Sequence, residues 1–134
     1  MRSYSAAIFA LVFVVALLVS MPLAHAEMTP DEEFLRDTKD FNYSQFEAAI
    51  TLAKKYLRYE RFDLAEQILD KTLEAKPLSF EFYTYYADLL SRLGKTDRAI
   101  EVLESCKDRK IVAFDVENML GNLYYSKQNF VKAA

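Results

Sequence analysis

The strongest constraint in this sequence is that it repeats. Segments beginning at Phe46, Phe80 and Phe114, 34 residues apart, align without a gap. Leu52-Ala53, Tyr86-Ala87 and Leu120-Gly121 fill the seventh and eighth places of the unit, and Tyr56, Leu90 and Tyr124 the eleventh. Phe62, Thr96 and Phe130 stand at the seventeenth, Ala65, Ala99 and Ala133 at the twentieth, and Leu69 and Leu103 at the twenty-fourth. A period of this length gives one supersecondary element per unit, and each unit buries its apolar face only by stacking on the next.

The spacing within a unit is helical. Ala49, Leu52, Ala53 and Tyr56, and again Tyr83, Tyr86, Ala87 and Leu90, recur at i, i+3, i+4, i+7, one face of a first helix. Ala65, Ile68, Leu69 and Thr72, and Ala99, Val102, Leu103 and Cys106, repeat that spacing on a second. Gly94 falls between the helices of the second unit, where a residue at positive φ ends the first. Small residues at the eighth and twentieth places predict close approach of the two helices. Gly121 costs about 1 kcal/mol against Ala inside a helix, and the same close approach is its expected compensation.

LGNLYY at 120–125, AEQIL at 65–69 and AIEVL at 99–103, on a 34-residue period, resemble the tetratricopeptide repeat. The resemblance implies an all-α fold of antiparallel helix pairs stacked as a right-handed superhelix. It divides the chain into a first repeat at 46–79, a second at 80–113 and a partial third at 114–134. It also implies a concave groove lined by the first helices and occupied by a protein or peptide. Carried over by place, the expected contacts are Lys54, Arg58, Thr84, Asp88, Arg92, Asn118, Asn122 and Tyr125. A carboxylate clamp of the kind found in chaperone-binding members is not expected, because Ile50 stands at its fifth place in the first unit. A structural reading competes for the charges. Acids at the second place (Glu47, Glu81, Asp115) and bases at the thirteenth (Arg58, Arg92) complement the helix macrodipole, by about 0.3–1 kcal/mol each. Asn118 and Asn122, at i and i+4, suit the backbone of an extended peptide, although asparagine there also belongs to the family scaffold. Tyr85 is left over from both packing faces.

Composition removes most catalytic chemistry. The chain has one His, His25, one Cys, Cys106, and two Gly, 27 positions apart. Internal disulfides, CxxC redox pairs, zinc sites and phosphate-binding glycine loops therefore cannot be built. No cofactor, metal site or enzymatic activity is expected, and Cys106 reads as a packed core residue. The acidic run Asp31-Glu32-Glu33 reads as a helix first turn. It belongs to an N-terminal capping helix within 27–45, opened by the capping box Thr29-Pro30-Asp31-Glu32. Phe34 and Phe41 would turn toward the first repeat. Ser44-Gln45-Phe46-Glu47 reads as a second capping box.

Residues 1–26 have the three parts of a secretory signal peptide. Arg2 is followed by an unbroken apolar stretch from Ala6 to Val19 and by the small-x-small site Ala24-His25-Ala26. Fourteen helical residues rise about 21 Å, short of a bilayer's hydrocarbon core of about 30 Å. A retained anchor, extended through residue 24, is the competing reading. Removing 1–26 takes away Arg2 alone among the charges and leaves 16 basic against 20 acidic residues, net −4. That balance speaks against nucleic-acid binding.

The chain stops early in its third unit, so Val116, Leu120, Leu123 and Tyr124 are expected to lack cover, the second helix of that unit having only just begun. A fragment of a longer array is one reading, and cover by another chain, including self-association through this uncapped repeat, is the other. The expected function is a non-catalytic protein–protein interaction scaffold of the cell envelope, periplasmic or secreted. The alternatives are the repeat part of a larger envelope enzyme or polysaccharide-export machine, and a membrane-anchored assembly factor. Mass spectrometry of the exported protein should give an N-terminus at Glu27. A mass retaining residues 6–24 would establish the anchor.

Overall fold

The computed structural model describes residues 27–133, so the signal-peptide reading of 1–26 lies outside the described residues. The chain forms two contact units, divided after Thr38.

In the first unit α1 spans Pro30–Thr38. Its capping box closes in both directions: the Glu32 N–H donates to Thr29 Oγ1 (3.3 Å), and the Thr29 N–H donates to Glu32 Oε2 (2.9 Å). Phe34 is its buried side chain.

The second unit holds the array: α2 (Phe46–Arg58), α3 (Phe62–Glu74), α4 (Phe80–Arg92), α5 (Thr96–Asp108) and α6 (Phe114–Ala133). The family expectation of an all-helical stack of helix pairs holds among the described residues. α2 packs on α3 and α4 on α5, while α2 touches α4, and α6 touches both α4 and α5. None of α2 to α5 has a side-chain N-cap. Each instead carries an acid in its first turn (Glu47, Asp63, Glu81, Asp97) and a base in its last. Those charges favour the helix dipole by fractions of a kcal/mol, so it is tertiary packing that holds 13-residue helices together.

The second capping box does not form. α2 begins at Phe46 with Gln45 as its N-cap, which leaves Ser44 one residue too early to cap it. The Ser44 hydroxyl and N–H both turn back to Asn42 Oδ1, at 2.6 and 3.1 Å, an Asx-type turn. Phe41 meets Tyr43 edge-on, with ring centroids 5.0 Å apart.

The turns repeat with the sequence. Glu60 and Gly94, 34 residues apart, both have positive φ (58° and 76°), as do Lys76 and Lys110 (59° each). After Glu60, Gly94 and Lys110 the next N–H reaches back five residues to a helix carbonyl: Arg61 to Tyr56, Lys95 to Leu90 and Ile111 to Cys106. These are Schellman closures that satisfy the last carbonyls. After Lys76 comes Pro77, which has no N–H. Its carbonyl instead accepts the Tyr83 hydroxyl at 2.8 Å.

Burial of the first helices separates two faces by place in the repeat. α2 buries only places 4, 8 and 11 (Ala49, Ala53, Tyr56), the face toward its own α3. α6 buries places 3, 7 and 10 (Val116, Leu120, Leu123), the face toward the preceding pair. α4 lies between neighbours and buries all six: Phe82, Tyr83, Tyr86, Ala87, Leu89 and Leu90. Each such large apolar side chain contributes about 1.5–3 kcal/mol on burial.

The same division corrects the reading of the third unit. Val116, Leu120 and Leu123 are covered, at 0%, 3% and 7% exposure, because they face α4 and α5; only Tyr124 stands open, at 44%. Among the described residues no second helix follows it. α6 continues unbroken for 20 residues, through positions where Glu60 and Gly94 turn the earlier units. Gly121 makes no close approach either: a Cβ there would meet nothing within 4 Å. Ala87 and Gly121 hold the same repeat place, yet they should respond oppositely. Ala87→Leu overfills a closed contact and should lower stability by about 1–3 kcal/mol. Gly121→Ala should raise it by about 1 kcal/mol. Urea unfolding of both variants checks the pair.

Candidate partner-binding face

The eight residues expected to line a groove all fall on the first helices. Lys54 and Arg58 are on α2, Thr84, Asp88 and Arg92 on α4, and Asn118, Asn122 and Tyr125 on α6. Since α2 touches α4 and α4 touches α6, they belong to one row of neighbouring helices. Thr84 and Asp88 are half-buried and the other six exposed. They avoid the six buried places because those places point to the stack, which leaves places 5, 9, 12 and 13 for solvent.

Several of these side chains are already engaged. The Thr84 hydroxyl donates to the Phe80 carbonyl of its own helix (3.1 Å). Arg92 and Asp88 form an i, i+4 pair at 2.9 Å. Lys54 Nζ lies 5.5 Å from the centroid of the Tyr85 ring on the next helix, a cation–π contact worth about 0.5–1 kcal/mol at an exposed site. Tyr85 is therefore half-buried under a lysine of the preceding repeat, a role its place in the sequence did not disclose. Tyr125 is 68% exposed.

A second set of polar contacts fixes how one repeat sits on the next. The Tyr86 hydroxyl donates to Asp70 of α3, and Arg98 of α5 donates to the same carboxylate oxygen (3.1 Å) and to Glu101 (3.0 Å). Lys95 pairs with Glu66 (2.6 Å). At the following junction Tyr124 donates to Glu104 (3.1 Å), and Lys127 pairs with Asp97 (2.7 Å). Asp70 and Glu104 occupy the same place of the repeat, so each junction has a tyrosine hydroxyl on an acid at that place. This recurrence was present in the sequence, but it is visible only once the tyrosine that reaches each acid is known.

Cys106 is buried in the core. Burial pushes its thiol above the ordinary value, which keeps it protonated and unreactive near neutrality. Burial also raises the tyrosine hydroxyls of Tyr83 and Tyr85. It raises Tyr86 furthest, with the hydrogen bond to Asp70 adding to the effect.

An all-α array of this kind, with one helix of each pair packed into the stack and still open along its outer side, is a repeat scaffold. Residues 68–101 match the family described as "Tetratricopeptide repeat", a segment running from α3 through α4 into α5. The matched segment is a tetratricopeptide repeat, and the helix pairs around it keep its 34-residue period; repeats of this family suggest a protein–protein interaction scaffold. It is also similar to the rRNA biogenesis protein RRP5 of Drosophila melanogaster, 27% identical over 70 residues, which are 52% of this chain and 5% of that protein. The chain thus spans only a small part of that relative's length. No solved structure matches it significantly.

The raised tyrosines set a pH dependence. Below about pH 10 a tyrosine is protonated in both the folded and unfolded chain, so this contribution to stability is fully present. Above that pH the unfolded chain releases protons that the folded chain keeps. Stability then falls as pH rises, by up to about 1.4 kcal/mol per pH unit for each such tyrosine. Tyr86→Phe should flatten the alkaline limb of a stability–pH curve. Asp70→Ala, which orphans the buried hydroxyl, should cost about 1–3 kcal/mol at pH 7. The double variant should recover part of that cost.

Proposed function

We propose that this chain is an exported, non-catalytic scaffold of the cell envelope that holds an extended, acidic protein segment along the exposed sides of α2, α4 and α6. The observation that carries the reading is a charge asymmetry. Lys54 and Arg58 are exposed cations on α2 with no acidic partner among the described residues, whereas the equivalent Arg92 on α4 is already neutralised by Asp88. An acidic segment gains most at α2. Asn118 and Asn122 on α6 offer amides to its backbone, and Tyr125 offers an open ring. The export pattern of residues 1–26 supports the envelope placement. rRNA biogenesis belongs to the name of the relative alone. Its match supports repeats built on the same pattern.

A second reading is a module that positions a partner for a larger envelope machine. It is favoured by the small share, 5%, that the matched segment occupies in its relative.

The test is affinity capture from envelope fractions with the full chain, compared with Lys54→Glu/Arg58→Glu. The double variant should lose the captured partner, with affinity down about tenfold or more and a steeper loss at low salt. Its fold should persist, with stability lowered only by the loss of the Lys54–Tyr85 contact and of Arg58 at the end of its helix, about 0.5–1 kcal/mol each. Equal capture by both proteins would dismiss the binding face.

A further inference from the structure

The loop that leads into the array carries a motif that neither packing nor the partner face uses. Asn42-Tyr43-Ser44 is Asn-x-Ser with no proline between, the acceptor pattern for a glycan linked to asparagine in an exported protein. The sequence has four asparagines, and only Asn42 has Ser or Thr two places on. Asn118, Asn122 and Asn129 are followed there by Leu120, Tyr124 and Val131. Asp40, exposed two residues ahead of Asn42, extends the motif to Asp-x-Asn-x-Ser and adds a carboxylate that a cationic groove can hold.

The structure presents this motif outward. Residues 39–45 lie between α1 and α2, outside any helix. Exposure alternates along them: Asn42 and Ser44 are exposed, while Phe41 and Tyr43 are half-buried. The aromatic side chains cause the alternation. Phe41 meets Tyr43 edge-on, Lys71 of α3 lies 5.4 Å from the centroid of the Tyr43 ring, and the Tyr43 hydroxyl is buried. With Tyr43 held inward, the residues on either side of it turn to solvent. The Asn42 carbonyl accepts the Gln45 N–H at 3.1 Å, closing a turn that Asn42 begins. Within that turn the Ser44 hydroxyl and N–H both bind Asn42 Oδ1. They fix the amide in one orientation and occupy its oxygen. Nδ2, which has no hydrogen bond among the described residues, is the end left for a reagent.

We propose that Asn42 is an N-glycosylation site, which takes a saccharide from a lipid-linked saccharide diphosphate at the membrane across which the chain is exported. The site rests on the export reading of residues 1–26. In the transfer, Asn42 Nδ2 attacks the anomeric carbon of the first sugar. A C–N bond forms as the bond from that carbon to the diphosphate oxygen breaks. The bonding pair leaves with the lipid diphosphate, and one of the two Nδ2 protons passes to a base of the transferase and on to water. No redox partner is needed. The attached glycan stands just before α2, whereas Lys54 and Arg58 lie about 12 and 18 Å along that helix from Phe46. It therefore adds hydrated bulk where the chain enters the array and leaves the two cations open to the proposed partner segment.

The test is tandem mass spectrometry of the full chain, expressed in its native host and recovered from the exported fraction. Trypsin cuts after Lys39 and Lys54, so the motif lies in one peptide, 40–54. That peptide should carry a saccharide mass on Asn42. The added mass should be lost completely in Asn42→Gln and in Ser44→Ala, and kept in Ser44→Thr, which retains the hydroxyl. Both positions are exposed and outside the helices, so all three variants should match the native chain in helix content. Peptide 40–54 found wholly unmodified in a chain that begins at Glu27 would overturn the site and leave the export reading standing. A saccharide that persists in Asn42→Gln would overturn it too, since the acceptor would then be another residue. A chain found only in the cytoplasm with residues 1–26 intact would remove the export reading, and the site with it.

Discussion

The array depends on the double burial of α4. Its neighbours each need one apolar face covered, and α4 covers both, burying Phe82, Tyr83, Tyr86, Ala87, Leu89 and Leu90 in 13 residues. Two of the six are tyrosines and one is phenylalanine, which gives the middle helix far more apolar area than Ala49, Ala53 and Tyr56 give α2. The aromatic rings also pack on one another. Phe82 meets Tyr83 edge-on with centroids 5.5 Å apart and lies 6.2 Å from Tyr86. Helices of this length are marginal alone, and α2 to α5 have no side-chain caps. Their existence follows from this central burial more than from their own ends.

Burying tyrosine carries a condition, because the hydroxyl must find an acceptor. Tyr83 and Tyr86 meet it differently. Tyr83 uses the Pro77 carbonyl, which belongs to the loop joining the two repeats. Tyr86 uses Asp70 across the repeat junction and shares it with Arg98. Both bonds tie the apolar centre to the position of the preceding repeat. The polar contacts therefore select the register of the stack, while the apolar contacts supply most of its stability.

The 34-residue period made the helix pairs legible, since matching residues at one spacing can share only one backbone path. It also made Gly94 legible as a turn. The equivalent turns at Glu60, Lys76 and Lys110 carry ordinary side chains in the left-handed region, at about 1–2 kcal/mol per residue. Only the repeat, and not the residue type, marks them. Gly121 misled for a related reason. In the earlier units its place is buried by the second helix, and among the described residues none lies opposite α6, so the residue type alone says nothing about approach. The candidate contacts were legible as places on exposed helix sides. Whether each was already occupied was not, because Thr84 bonding its own helix depends on its rotamer and Lys54 over Tyr85 on side-chain reach across a junction.

The separation of faces lets one scaffold carry both its fold and the proposed recognition. Places 3, 4, 7, 8, 10 and 11 of a first helix are committed to packing, and their substitution moves stability. Places 5, 9, 12 and 13 touch little of the stack, so their chemistry can vary at almost no cost to the fold. That freedom is visible within this chain. The ninth place is Lys54, Asp88 and Asn122 in successive helices, a cation, an anion and an amide, while the seventh and tenth remain apolar in both α4 and α6. Along the row the charge runs from unpaired cations on α2, through a neutralised pair on α4, to uncharged amides on α6. A segment lying across the three helices would meet this gradient in one direction only. Under the proposed binding mode, the orientation of the partner segment is set at positions that the fold leaves free.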